Sequence, residues 1–100
     1  MAKGYWIGRG EVSDPEQYKA YVAANAAPIK KHGGRFLVRG GQLTAVEGTS
    51  SSRNVVVEFP SYQEALACYH SPEYQAAIQL RQPASSLNIM IIEGYDGPQP

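Results

Sequence analysis

The sequence predicts an α+β domain with the element order β-α-β-β-α-β, the ferredoxin-like arrangement with helices on one face of a four-stranded antiparallel sheet. Extended stretches that alternate in period two or form short apolar runs predict the strands. Capping residues followed by proline and glutamate, at Asp14 and again at Ser71, predict the starts of two helices. Because crossovers between parallel strands are right-handed, the first strand is expected in the middle of the sheet.

The first half of the chain holds one strand and one long helix. Residues 4–12, GYWIGRGEV, are interpreted as a strand with a period of two, because they include aromatic and β-branched residues that suit a pleated surface. Asp14 caps the helix, Pro15 needs no N–H partner in its first turn, and Gly33 ends it. Five residues recur at helical spacing and are expected on one face: Tyr18, Tyr21, Val22, Asn25 and Ile29.

The second half supplies three more strands and a broken helix. The expected elements are a strand at Arg35–Arg39, a bulge or break at Gly40 and Gly41, a continuation of that strand over residues 43–47, a strand at Arg53–Phe59, a helix from Ser61 to about His70, a helix from Ser71 through Arg81, and a last strand over residues 87–95. Pro83 cannot continue a helix, so it ends the second one before the last strand begins.

Length and composition indicate a single unit. A chain of 100 residues suits one domain, expected over residues 1–97 with a flexible tail at residues 98–100. Nine basic and nine acidic residues give a formal net charge of zero, so neither nucleic acid nor a membrane is an expected partner. The longest apolar runs are far shorter than the roughly 20 residues that span a bilayer. A single cysteine, Cys68, and an amino terminus without a signal-like apolar core favour the cytoplasm.

Both faces of the predicted sheet carry apolar side chains. In the last strand Ile89 and Ile91 point to one face, whereas Met90 and Ile92 point to the other. Helices from the same chain cover only one face, and a large exposed apolar patch is rare on a monomer. The sequence therefore predicts a homodimer in which the two uncovered sheet faces stack against each other.

Four segments, KGYWIGRGEVSDPEQYKAYV, GGRFLVRGG, EFPSYQEALACYHSPEYQAA and IIEGYDG, resemble the bacterial family known as domain of unknown function 1330. The resemblance covers residues 3–97. It implies a dimeric α+β barrel, from a superfamily that includes cofactor-free monooxygenases, muconolactone isomerase-like enzymes, chlorite dismutase-like haem enzymes and stress-response proteins. It implies no particular activity, because a shared fold does not transfer a function.

The glycine pairs of GGRFLVRGG do not predict a phosphate-binding loop. A phosphate cradle clusters its glycines in one loop that opens a helix, whereas these pairs flank an apolar strand. The arginines of that strand, Arg35 and Arg39, are expected on one face, about 13 Å apart at roughly 3.3 Å per residue. Arg9 lies on the first strand and Arg53 opens the third, and in one interpretation one or two of these four arginines clamp a carboxylate or an enolate. In the other they pair with Glu11, Glu58 or Glu93.

Three tyrosines and one histidine complete the candidate site. Tyr18, Tyr21 and Tyr74 line a cavity between helices and sheet in one interpretation, and are ordinary core residues in the other. His70 is the best candidate for a general base, although a histidine in the last turn of a helix also serves as a cap. The scattered histidines, cysteine and carboxylates predict no metal site, and no cofactor is expected.

Three functions are compatible with these residues. The leading hypothesis is a dimer that binds a small, partly apolar organic acid or carbonyl compound through five side chains: Tyr18, Tyr21, Arg35, Arg39 and Tyr74. An alternative is a cofactor-independent monooxygenase or isomerase in which His70 acts as the base. The other alternative is a non-catalytic stress-response or interaction dimer.

Overall fold

The computed structural model describes residues 2–100, which form a sheet and a layer of helices. The strands are β1 (Gly4–Val12), β2 (Arg35–Arg39), β3 (Arg53–Phe59) and β4 (Ser85–Glu93). The helices are α1 (Pro15–Lys31), α2 (Tyr62–His70) and α3 (Pro72–Arg81), and a 3₁₀ turn at Gln82–Ala84 leads into β4. Within residues 2–100 no helix is long and apolar enough to cross a membrane.

The sheet is antiparallel, with the strand order β2-β3-β1-β4. The prediction that β1 lies inside the sheet is confirmed, because Trp6 has Val57 of β3 on one side and Ile91 of β4 on the other. The face of the sheet that carries Trp6 and Val57 packs under the helices and forms the core with Tyr18 of α1 and Ala65 of α2. The fold is therefore ferredoxin-like, as predicted.

Local side-chain hydrogen bonds start each helix where the sequence predicts. Asp14, Ser61 and Ser71 each accept a bond from the backbone N–H three residues later, at 3.1, 3.1 and 3.2 Å. The predicted inner face of α1 is also confirmed, since Val22 is partly buried and the other four residues are buried: Tyr18, Tyr21, Asn25 and Ile29.

The prediction that Arg35 and Arg39 share a face of β2 is wrong. The register of β2 against β3 shifts between the two arginines, at a bulge inside the strand rather than at the glycine pair after it. Arg35 lies opposite Glu58, and Arg39 lies opposite Val55, which points to the other face of β3. Because one extra residue reverses the side-chain alternation, Arg35 lies on the uncovered face and Arg39 on the helix-covered face.

The expected continuation of β2 over residues 43–47 is not formed. This segment lies in the irregular loop between β2 and β3 and makes no strand pairing within residues 2–100. Its apolar side chains stay in solvent, with Leu43 50% and Val46 84% exposed. A strand-like pattern needs a neighbouring strand to satisfy its backbone groups, and here it has none. The last strand starts earlier than predicted, at Ser85, and ends at Glu93.

The face of the sheet opposite the helices is open and apolar. Ile7 lies opposite Val56 on one side and Met90 on the other, and all three point away from the helices. Met90 is 54% exposed and Ile92 is 46% exposed. Apolar side chains on this face therefore lie in contact with solvent in the single chain, as the sequence predicts.

Replacement of Ser71 by alanine is expected to destabilise both short helices. The Ser71 hydroxyl donates to the Cys68 carbonyl at 2.7 Å and accepts from the Tyr74 N–H at 3.2 Å, so it closes α2 and opens α3. Loss of a cap of this kind lowers the free energy of unfolding by about 1–2 kcal/mol. Urea denaturation measures the change, with the exposed Ser50→Ala as the matched control. An equal stability for the two variants would contradict this role.

Candidate functional site

A cavity lies between α1 and the helix-covered face of the sheet. Its volume is about 40 Å³, measured as the space open to the centre of a water molecule, where one water molecule needs about 10–15 Å³. Six of the side chains that line it come from α1 and from three strands: Tyr18, Tyr21, Asn25, Trp6, Arg39 and Arg53. The space predicted between helices and sheet is therefore not packed solid.

The helical spacing of α1 and one glycine of β1 shape this cavity. Tyr18, Tyr21 and Asn25 follow one another at three and four residues, so they form one stripe that faces the sheet. Gly8 lies on the floor, where an added Cβ would have only Ile89 within 4 Å, at 3.5 Å. The lack of a side chain at Gly8 leaves the floor open beneath that stripe.

Two buried polar atoms of the cavity walls lack hydrogen-bond partners in residues 2–100. They are Oδ1 of Asn25 and Nε of Arg53. Asn25 is only 6% exposed, so bulk water does not compensate for the missing bonds. Buried polar groups are nearly always hydrogen-bonded, because an unpaired one costs about 1–3 kcal/mol. An acceptor and a donor in one apolar cavity therefore need an explanation other than folding.

Three arginines on the helix-covered side stack on aromatic rings. The guanidinium carbon of Arg39 lies 4.1 Å from the ring centre of Phe36. Those of Arg53 and Arg81 each lie 5.4 Å from a tyrosine ring, Tyr18 and Tyr21 respectively. Among residues 2–100, none of these arginines has a carboxylate within 4.0 Å. Arg39 and Arg53 line the cavity, so they bring to it positive charge that no acidic side chain of the described residues pairs with.

A buried pair of phenols closes one end of the cavity. The hydroxyls of Tyr21 and Tyr74 are 2.6 Å apart, and Tyr74 is fully buried behind Tyr21. Burial, together with the neighbouring Tyr21, raises the pKa of Tyr74 well above its ordinary value, although the Arg81 guanidinium acts in the opposite direction. Tyr74 therefore stays protonated at neutral pH and takes part as a hydrogen-bond donor or acceptor.

The structure separates the residues that the sequence grouped together. Tyr18, Tyr21 and Arg39 line the cavity. Tyr74 does not line it, but its hydroxyl contacts the Tyr21 hydroxyl. Arg35 does not line it either, because its Nε is ion-paired to Glu58 at 3.1 Å on the uncovered face. This ion pair is the alternative that the sequence left open for that arginine.

His70 also lies away from the cavity. Its ring is exposed at the end of α2 and stands edge-on to Tyr69, with the ring centres 5.4 Å apart. It is therefore not positioned to act on a molecule held in the cavity of this chain. Cys68 offers no substitute nucleophile, because burial raises the pKa of its thiol to about 12.

Sequence reasoning placed Asn25 on the inner face of α1 without giving it a binding role, and it named Arg53 only as one of four arginines that could clamp an anion. A signal for Asn25 was present, since it is the only polar member of an otherwise apolar and aromatic stripe on α1. Arg53 gave a weaker signal at the head of β3, and only its pairing opposite Gly10 turns its side chain toward the cavity. Within residues 2–100 no three side chains of histidine, cysteine, aspartate or glutamate assemble into a metal-binding group.

Replacement of Asn25 by leucine is expected to stabilise the ligand-free protein. Leucine has a similar volume and removes the unpaired Oδ1, so the free energy of unfolding should rise by about 1 kcal/mol. Asn54→Leu is the matched control, because the Asn54 amide donates to the Ser51 carbonyl at 2.9 Å and its loss should be destabilising. Urea denaturation compares them, and a loss of stability in Asn25→Leu would show that its amide is satisfied within the protein.

Solved structures share this fold over nearly the whole chain. A protein of unknown function from Rhodopseudomonas palustris is 16% identical, with a TM-score of 0.75 over 96% of this chain and 85% of that one. SnoaB, a cofactor-independent oxygenase from Streptomyces nogalater, is 13% identical, with a TM-score of 0.67 over 100% of this chain and 97% of that one. A dimeric ferredoxin-like protein of unknown function from Thermobifida fusca is 16% identical, with a TM-score of 0.58 over 92% and 89%. At these identities the likeness shows the fold alone.

Comparison of the sequence itself gives the family. None of the curated proteins matches the chain. The family model described as "Domain of unknown function (DUF1330)" matches residues 3–95. This match confirms the resemblance that the sequence motifs carry, and the chain belongs to the DUF1330 family.

Proposed function

We propose that the protein binds a small, partly apolar organic acid or carbonyl compound in the cavity between α1 and the sheet. The observation that carries this proposal is the pair of unpartnered atoms, Asn25 Oδ1 and Arg53 Nε, in an apolar and aromatic cavity. Binding pockets combine such walls with a few polar groups that fix the orientation of the ligand. A ligand would supply the two hydrogen bonds that the fold leaves unmade.

The chemistry of the walls selects the class of ligand. The guanidinium of Arg53 donates hydrogen bonds and carries positive charge, so it suits a carboxylate or an enolate oxygen. Asn25 Oδ1 accepts a hydrogen bond, so it suits a hydroxyl on the same ligand. Tyr18 and Trp6 offer ring faces to the apolar body. A hydroxy acid or an enol with a short apolar or aromatic skeleton meets all of these conditions.

The working unit in this proposal is a homodimer formed by the uncovered sheet faces. Met90 and Ile92, together with the half-buried Ile7 and Val56, give this face an apolar centre that a second copy would bury. The Thermobifida fusca protein of the same fold is described as dimeric, which supports the proposal. The cavity lies on the other face of the sheet, so ligand and partner would not compete.

A cofactor-independent oxygenase or isomerase is the second candidate function. SnoaB is described as a cofactor-independent oxygenase and shares the fold, and the positive charge of the cavity suits a substrate that reacts as its own enolate. In this version Arg53 and Tyr21 would stabilise the anion, because His70 lies outside the cavity. Oxygen consumption with a bound enolisable substrate, without added metal or flavin, would distinguish the enzyme from a binding protein.

Ligand binding is expected to raise the melting temperature in a manner that depends on Arg53. Salicylate, which carries a carboxylate, a hydroxyl and an aromatic ring, is the first probe, and salicylamide, which keeps the hydroxyl, is its uncharged counterpart. At one hundred times its dissociation constant a ligand stabilises the native state by about 2.7 kcal/mol, which a thermal-shift assay detects easily. Arg53→Gln should abolish the shift with salicylate.

Two further variants make this test specific to the cavity. Arg35→Gln removes the same charge on the uncovered face and should keep the shift. Gly8→Val places two methyl groups in the floor of the cavity, where a Cβ meets little, and should fold normally but bind nothing. A salicylate shift that survives in Gly8→Val would place binding elsewhere. No shift with any small carboxylate, lactone, quinone or aldehyde would favour the interaction dimer.

Introduction of a charge at Met90 is expected to dissociate the dimer. Met90→Glu places a carboxylate at the centre of the apolar face, and burial of that charge against a second copy is strongly unfavourable. Sedimentation velocity at micromolar concentration should show a dimer for the native protein and a monomer for this variant. Val46→Glu, in an exposed loop, is the control and should remain dimeric. A monomeric native protein would refute the proposed interface.

A further inference from the structure

The direction of the hydrogen bond between the buried phenols of Tyr21 and Tyr74 decides which of them has a proton left to donate. Their hydroxyl oxygens are 2.6 Å apart, and each hydroxyl carries one proton. One phenol therefore donates to the other, and the proton of the acceptor phenol is left for a third group. Because Tyr21 lines the cavity and Tyr74 does not, only one of the two directions leaves the free proton on the residue that borders the cavity.

Arg81 is a buried cation beside the phenol pair and favours one of these directions. Its side chain is 8% exposed, its guanidinium carbon lies 5.4 Å from the Tyr21 ring centre, and its Nε has no acceptor among residues 2–100. A guanidinium has donors only, so it favours the oxygen of a neighbouring hydroxyl and repels its proton. The positive charge also acts on Tyr74, since it opposes the rise in the pKa of that phenol. The Tyr74 proton is thereby directed away from Arg81.

The other neighbours of Tyr74 leave its proton a single acceptor. The rings of Trp6 and Tyr69 flank it, with centre-to-centre distances of 4.7 and 5.5 Å, and within residues 2–100 its hydroxyl has no hydrogen-bond acceptor other than the Tyr21 hydroxyl. Tyr74 is fully buried, so its proton does not reach solvent. The Tyr21 oxygen, at 2.6 Å, is therefore the acceptor.

We infer that Arg81, Tyr74 and Tyr21 form a hydrogen-bond relay that ends in a proton donor at the cavity. This inference rests on the proposed function and names the ligand group more closely: an oxyanion, such as a deprotonated enol or phenol, whose oxygen accepts the Tyr21 proton. A phenol that already accepts a hydrogen bond donates a stronger one, because bonds in a chain polarise one another. Arg81 and Tyr74 are positioning residues, and Tyr21 is the group that touches the ligand.

Binding of p-nitrophenolate tests the relay directly. The probe is an oxyanion on an aromatic ring, and the visible absorbance of the anion changes when it is bound. Measured at a pH where the probe is ionised, Tyr21→Phe should weaken its affinity about ten- to a hundredfold, the loss expected for a hydrogen bond to a charged group. Tyr62→Phe, which removes a hydroxyl at the start of α2, is the matched control and should bind as the native protein does.

The variant Tyr74→Phe distinguishes the two directions of the pair by the sign of its effect. If the relay is correct, loss of the Tyr74 hydroxyl removes the hydrogen bond that polarises Tyr21, so the affinity for p-nitrophenolate falls a few-fold. If instead Tyr21 donates to Tyr74 in the native protein, the variant frees the Tyr21 proton to bind the ligand, so the affinity for p-nitrophenolate rises. An increase, or no change, would overturn the inference. Arg81→Gln should also weaken binding, whereas Arg81→Lys, which keeps the charge, should restore most of it.

The native protein separates failure of this inference from failure of the proposed function. If salicylate binds but p-nitrophenolate does not, the cavity takes carboxylates and the oxyanion relay is wrong. If neither binds, the proposed function fails and the relay fails with it. If both bind and the Tyr21, Tyr74 and Arg81 variants all behave as the control does, the probe does not meet the relay, and the inference is refuted.

Discussion

The position of the Trp6 indole is the constraint on which the rest of the site depends. Trp6 lies on the interior strand β1, and its Nε1 donates to the Ala65 carbonyl of α2 at 2.8 Å. Its ring packs against Phe59 and Tyr74, with centres 5.0 and 4.7 Å away. One side chain thereby joins the sheet to α2 and α3, forms part of the cavity wall and holds Tyr74 behind Tyr21. A smaller residue at this place would loosen the core and the site together.

The candidate site follows from the distribution of charge in this fold rather than from its total. The chain is formally neutral, and Arg35 pairs with Glu58 on the uncovered face. On the helix-covered face the arginines stack on aromatic rings, and such contacts contribute only about 0.5–2 kcal/mol each. A buried guanidinium edge without an acceptor, as at Arg53 and Arg81, destabilises the free protein. Buried polar groups without partners are rare in folded proteins, and a bound ligand would supply the missing partners.

The sequence predicted the helix caps and the buried face of α1, which depend on residues close together in the chain. The caps at Asp14, Ser61 and Ser71 and the inner face of α1 follow from neighbours in the chain, and the structure has them. The bulge in β2 depends on pairing with β3, which a single strand does not encode, so the facing of Arg39 relative to Arg35 was not predictable. Whether a buried polar atom finds a hydrogen-bond partner likewise depends on packing. Only the structure shows that Asn25 Oδ1 and Arg53 Nε have none within residues 2–100.

The most direct test of the account is a nuclear magnetic resonance titration of the isotope-labelled protein with benzoate. If benzoate binds in the cavity, we expect saturable chemical-shift changes in the resonances of three groups that surround it: the indole N–H of Trp6, the side-chain amide of Asn25 and the first backbone amides of β3. Signals from Met90 and Ile92 on the uncovered face should stay unchanged. Shifts confined to the uncovered face, or no saturable shift at all, would contradict the claim that the cavity is a binding site for small organic anions.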